Sequence, residues 1–280
     1  MKKNYIKLLL PLLCIALFSV KDTPFQVSEM VLVEGGEFLL GSPYSDSRAE
    51  KDEQPQVLVS VSSFYMAKYE VTVEEWKAYV NDTGKSMPKA PKWGWDDSFP
   101  MSSVTWDEAI DYCNWLSLKH GLTPAYKKRG SYPFCNFNSN GYRLPTEAEW
   151  EFAARGGNKS KKFNYVGSND PDRMSWNASN SEGRPHTVGT RYANELDIYD
   201  LNGNVWEWCW DIYDEAYYKD IKKELASNNN PKGGTDGKLR VSKGGSWDSK
   251  VSFLRPSNKV PIKPSQVYDF FGFRMVRTAK

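Results

Sequence analysis

Histidine and cysteine are scarce in this chain, with two of the first and four of the second in 280 residues. His120 and His186 stand apart from every cysteine and no Cys-x-x-Cys spacing occurs, so a zinc or non-haem iron centre has no donor set. A surplus of one charge is also missing. Lys and Arg total 37 and Asp and Glu 35, a net charge of +2, which gives no electrostatic case for nucleic acid or an anionic membrane as partner. Helical and strand periods do not alternate in the way that builds a parallel sheet. The interval Asp248 to Phe271 contains no cysteine, and therefore no thiolate to hold a soft metal.

An apolar run of roughly 20 residues, the length that crosses a bilayer, is lacking too. Leu8 to Val20 is shorter and follows Lys2, Lys3 and Lys7, which reads as an export signal over residues 1–21. The mature protein is then expected at the cell surface, in a periplasm or secreted. Cleavage near Ser19 to Lys21 is one outcome, and lipid attachment at Cys14, behind Leu-Pro-Leu-Leu, is the other. Without Cys14, the three cysteines Cys113, Cys135 and Cys209 permit at most one internal disulfide and leave a free thiol.

Aromatic residues are abundant, with 11 Trp and 16 Tyr, side chains that fill irregular cores and anchor binding surfaces alike. Met30 to Phe38 alternates around Gly35-Gly36 and predicts a hairpin, and Gln56 to Tyr65 predicts one strand with Val57, Val59 and Val61 on one face. Thr72 to Glu75, Thr105 to Glu108 and Thr146 to Glu149 each fit the capping box, with core-facing helical spacings behind them. Glu147, Glu149 and Glu151 follow one another on the third helix, and helical geometry scatters them, which argues against acid–base chemistry. Leu239 to Lys243 and Gly272 to Arg277 read as closing strands. No tandem repeat or linker divides residues 27–280, so the expectation is a single loop-rich α+β domain.

Asp200, Asn202, Asn204 and Glu207 place four oxygen-bearing side chains around Gly203, hard donors of the kind calcium takes. The loop is not an EF-hand, because Val205 stands where the sharp-turn glycine belongs.

Six phrases in order carry a resemblance: MVLVEGGEFLLGS (Met30 to Ser42), FYMAKYEVTVEEW (Phe64 to Trp76), GYRLPTEAEWEFAARGG (Gly141 to Gly157), LNGNVWEW (Leu201 to Trp208), KGGSW (Lys243 to Trp247) and GFRMVR (Gly272 to Arg277). From about Met30 to Lys280 the chain resembles the formylglycine-generating enzyme, or sulfatase-modifying factor, family. The resemblance implies a C-type-lectin-like α+β fold and one structural calcium, held by the Asp200 and Glu207 side chains and the Gly203 and Val205 carbonyls. Enzymes of that family oxidise a sulfatase cysteine with copper held between two cysteines, three and eight residues beyond the serine matching Ser246. Here those positions are Ser249 and Leu254. Copper is therefore not expected, and only Ser246 and Trp206 match residues near the family's groove.

The stretch Gly244 to Arg277 also resembles the variable segment of bacterial surface proteins diversified by retroelements. That likeness implies a fixed frame of Gly244 to Trp247, Arg255, Asn258 and Gly272 to Arg274. Displayed on it for ligand contact would be Asp248, Ser249, Lys250, Ser252, Phe253, Tyr268, Asp269 and Phe270, a mix of aromatic anchors and adaptable polar groups. The leading expectation is an exported, non-catalytic protein that binds a protein or glycan ligand through 248–271. The alternatives are an oxidoreductase acting on sulfatase cysteine, and a structural subunit of a cell-envelope assembly.

Overall fold

Three threonine oxygens open the three long helices. Thr72, Thr105 and Thr146 each accept from the backbone N–H three residues on, while Glu75, Glu108 and Glu149 reach back to the cap's own N–H. These boxes start α1 (Val73–Thr83), α2 (Trp106–Lys119) and α3 (Glu147–Ala154) where the spacing predicts them. The computed structural model describes residues 27–129, 132–223 and 229–279, so the expected export signal and Cys14 lie outside the described residues.

The hairpin expected over Met30 to Phe38 does not form. Its halves are strands β1 (Met30–Val33) and β2 (Gly36–Leu40), which belong to different sheets. Gly35 sits so close to its neighbours that a Cβ there would lie 2.6 Å from the Val61 carbonyl oxygen, and the chain passes from one sheet to the other at this contact. The single strand expected over Gln56 to Tyr65 likewise breaks into β3 (Val57–Val61) and β4 (Phe64–Ala67). β2 pairs with β3 and β1 with β4, both antiparallel. Period-two alternation fixes which face a residue takes, but it does not name the partner strand.

Beyond α2 follow β5 (Tyr126–Arg129), β6 (Tyr132–Cys135) and β7 (Tyr142–Arg143), and beyond α3 the short helix α4 (Pro171–Met174). β8 (Trp206–Ile212), α5 (Tyr217–Lys223), β9 (Arg240–Lys243), β10 (Lys259–Ile262), β11 (Phe271–Gly272) and β12 (Val276–Thr278) complete the order. One four-stranded sheet runs β1-β4-β12-β7 and another β10-β9-β8-β11, with β2-β3 and β5-β6 as separate pairs. The closing segment Gly272 to Arg277 thus contributes to both larger sheets. Between elements run long loops, the α+β, loop-rich architecture expected.

One apolar cluster packs α1 and α2 on Trp206, Trp208 and Phe273, and a second lies between β2-β3, α3 and Tyr218. Cys113, Cys135 and Cys209 are buried free thiols, so the disulfide that an odd cysteine count permits is not made. Burial from water raises the Cys113 and Cys209 thiols and pushes Cys135 up to about 12. We therefore expect Ellman's reagent to find no reactive thiol at these three positions in the native protein at pH 8, and all three after unfolding in guanidinium. Rapid native reaction at any of them would contradict this packing.

Candidate functional site

Glu207 on β8 and Arg274 just after β11 form a fully buried bidentate ion pair at 2.7 and 2.6 Å. The Trp150 indole of α3 donates to the same carboxylate at 2.8 Å, and Arg274 also donates to the Ala67 and Tyr199 carbonyls. Both brackets of the C-terminal segment are tied to this point. The Gly244 carbonyl accepts from Gly203 at 2.9 Å, and Trp247 N–H donates to Asn204 at 2.8 Å. Gly244 and Gly245 have φ of 98° and 78°, left-handed backbone that glycine takes without strain.

At the position of the first expected cysteine, Ser249 is buried rather than displayed, which corrects its assignment to the contact set. Its hydroxyl accepts from Ser246 N–H at 2.9 Å and lies 3.2 Å from the Ser246 hydroxyl, closing the turn from inside. Leu254 at the second position is buried, with its Cδ2 2.6 Å from where a Gly245 Cβ would stand. A hydrogen-bonded hydroxyl and a packed isobutyl group offer a soft cation nothing. The donor set does not fit copper.

The outer face is different. Trp93, Trp247, Phe270 and Tyr268 form a row of partly exposed rings, with centroid separations of 5.3, 6.4 and 5.2 Å in that order. Beneath it Phe271 is buried against Trp206, which is itself buried and whose N–H donates to the Phe270 carbonyl at 2.9 Å. Asp248, Lys250 and Ser252 are exposed and Asp269 is half-buried, its carbonyl facing the Trp247 indole. Phe253 is exposed on the turn Val251–Leu254 and makes no ring contact with the row among the described residues. The structure thus gathers Tyr268 and Phe270 and leaves Phe253 apart. Trp93 was not among the residues expected; a tryptophan in a polar Lys-Trp-Gly-Trp loop was the available signal.

The Asp200 to Glu207 loop faces a third carboxylate that the sequence did not point to. Glu70 accepts from Val205 N–H at 3.1 Å and from the Asn204 amide at 2.7 Å, while Asp200 accepts from Gly189 N–H at 2.7 Å. Burial raises both acids, and repulsion from Glu207 adds to it, taking Asp200 to about 6 and Glu70 well above its ordinary value. Three buried carboxyls thus share the single guanidinium of Arg274, and the loop around them offers hard oxygen donors of the type calcium takes. Glu207 is already engaged by Arg274 and Trp150. No group of three His, Cys, Asp or Glu side chains with metal-holding geometry occurs among the described residues, so an ion here would need backbone carbonyls such as those of Gly203 and Val205.

The sulfatase-modifying factor enzyme 1-like domain matches residues 17–279. The chain belongs to that family. Among curated relatives, it is 35% identical to the chaperone protein LppX of Paenibacillus barcinonensis, with 89% of each chain covered. It is 29% identical to the formylglycine-generating enzyme of Mus musculus over 90% of this chain and 75% of that one. Among solved structures, Treponema denticola variable protein 1 superposes with a TM-score of 0.73 at 28% identity, covering 89% of this chain and 95% of that one. The fold is thus that of the sulfatase-modifying factor family and of a variable protein.

Within this family member a second ion pair holds the C-terminal segment at its middle. Glu53, fully buried, takes Arg255 through both oxygens at 2.5 and 2.7 Å, with Ser257 at 2.8 Å and Asn258 at 3.2 Å. Burial alone would raise the Glu53 acid, but the Arg255 and Ser257 hydrogen bonds win and bring it down to about 2. A depressed acid stabilises the fold above its unfolded value, here 4.5, and that contribution disappears as pH falls from there toward about 2. We expect Glu53→Gln to flatten the stability-against-pH curve over this window in urea titrations. Arg255→Ala should cost about 3–5 kcal/mol at pH 7 by stranding the carboxylate. An unchanged acid limb in Glu53→Gln would refute the assignment.

Proposed function

We propose that this protein is an exported, non-catalytic member of the sulfatase-modifying factor family that binds a protein or glycan ligand through segment 248–271 on a calcium-braced scaffold. One observation carries the reading: a row of accessible aromatic rings lies over a rigid frame whose two thiolate positions hold a buried serine and a packed leucine. Aromatic rings give large contact area at little entropic cost, and Asp248, Lys250 and Ser252 beside them supply adaptable polar contacts. The likeness to Treponema denticola variable protein 1 supports display by this segment. Similarity to a protein named a chaperone favours a protein ligand over a glycan. Oxidation of a sulfatase cysteine is the alternative, and a structural place in a cell-envelope assembly is a third reading.

Binding is read on arrayed glycans and extracellular proteins. Tyr268→Ala with Phe270→Ala should weaken captured partners by roughly 2 kcal/mol, about 30-fold, the usual scale of an aromatic hot spot. Because Phe270 also packs against the core, a melt checks that the double variant stays folded, and Tyr268→Ala alone should weaken binding with the melting temperature kept. Partners that bind the double variant as well as the parent would remove the segment from the reading. For the enzymatic alternative, the protein is incubated with Cu(I) and a sulfatase-derived cysteine peptide; we expect neither retained copper nor aldehyde product, and turnover would reverse the conclusion.

Calcium at 100 times its Kd should stabilise the fold by about 2.7 kcal/mol, seen as a rise in melting temperature that EDTA removes and Asp200→Asn abolishes. Equal melting in calcium and EDTA would exclude the brace. Export is read by fractionation of cells making the full chain, and retention on membranes that Cys14→Ser releases would select lipid attachment over simple cleavage.

A further inference from the structure

Strand β2 ends a two-stranded sheet, and only one of its edges is used. The far side of β3 is closed, because Asn230 N–H donates to Ser60 at 2.8 Å and Ser62 N–H donates to the Asn230 side chain at 2.7 Å. Among the described residues no strand pairs with the outer edge of β2. The ends of this edge are capped, where the Gly35 carbonyl accepts from Asn158 and Gly41 donates to Glu151 and accepts from Arg155. Between them, every second residue of an antiparallel ladder turns its N–H and C=O away from the partner strand.

The edge opens onto a cleft of about 770 Å³ that Gly157, Ser160, Lys162, Phe163 and Asn164 also line. Among polar neighbours the cleft holds an apolar floor, the Phe38 and Phe152 rings 5.2 Å apart together with Phe163. Leu39 and Leu58 are direct cross-strand neighbours, yet they remain 49% and 53% exposed on the outer face. The rim is basic. Lys162 on the lining, and Lys159 and Lys161 beside it in the chain, are exposed and make no ion pair among the described residues. Of the acids lining the cleft, Asp46 is taken by Arg48, while Glu37 on β2 makes no ion pair among the described residues.

We propose that this cleft is a second binding site, which takes an extended, proline-poor peptide segment bearing acidic residues and adds it as a third strand beside β2. The five residues of β2 offer an edge of about 17 Å. Backbone pairing supplies affinity, the Phe38–Phe152–Phe163 floor takes alternate apolar side chains, and the lysine rim selects for acidic ones. This site shares no residue with the aromatic row and stands or falls without it.

A random nine-residue peptide pool displayed on phage is panned against the full chain, and enriched peptides are synthesised with and without N-methylation of alternate amides. Enriched sequences are expected to be acidic and poor in proline. Their affinity should fall roughly tenfold or more, the loss of one or two hydrogen bonds, on N-methylation of one of the two alternate sets. Leu39→Lys and the paired Lys161→Glu, Lys162→Glu should weaken binding similarly. All three substitutions lie on the surface, and circular dichroism melts check that the fold is retained. Phe270→Ala should bind these peptides like the parent, which separates this site from the ligand row. No enrichment, or binding indifferent to N-methylation or to Leu39→Lys, overturns the proposal. A dimer that Leu39→Lys dissolves overturns it in favour of a second copy of this chain.

Discussion

The Glu207–Arg274 pair is the interaction on which the rest of the fold depends. Its carboxylate comes from β8, an inner strand of one sheet, and its guanidinium from the crossing between β11 and β12. The same guanidinium reaches the end of β4 through Ala67 and the start of the Asp200 to Glu207 loop through Tyr199. Four otherwise separate parts of a loop-rich chain therefore meet at one buried, fully hydrogen-bonded ion pair. Taking both charges out of water is costly, and the geometry offsets it only because every donor and acceptor is used; removing one partner of such a pair costs about 3–5 kcal/mol. Little regular secondary structure is needed when loops are pinned from inside in this way.

The same device recurs along α3. Glu147 pairs with Lys259 and receives the Tyr218 hydroxyl, Glu149 pairs with Arg143 and caps its own helix, and Glu151 pairs with Lys243 and Arg155. Three glutamates that sequence alone scatters around a helix are all buried and paired, Glu147 and Glu151 with lysines from distant segments and Glu149 with Arg143 just ahead of the helix. With Glu53 and Arg255 added, the C-terminal segment is fastened near its start, its middle and its end. Between those fixings Asp248, Lys250, Ser252, Phe253 and Tyr268 reach the surface, while Leu254 to Lys259 stay buried.

Much of this was legible in the residues. The three capping boxes named the starts of α1, α2 and α3, because a cap is a local event between residues three apart. Ser249 and Leu254 stand where the family resemblance places its two thiolates, and their side chains are legible in the sequence itself. Strand pairing was not legible: β1 and β2 alternate as a hairpin would, yet each pairs elsewhere, since the alternation is the same whichever neighbour supplies the hydrogen bonds. Exposure within 248–271 was only partly legible. Ser249 looks like any surface serine until its hydroxyl is found closing the turn on Ser246, and Trp93 joins the aromatic row from a loop more than 150 residues away.

By itself, the sequence determined the local events and the chemistry that is missing: helix starts, glycine turns, oxygen-rich loops, and an interval with no thiolate. Those depend on residue type and short spacing, which a chain carries wherever it folds. Only the tertiary structure decided which carboxylates are neutralised, which rings share a surface, and which strand edge is left open. Each of these is set by segments far apart in the chain, and burial and pairing exist only once those segments meet.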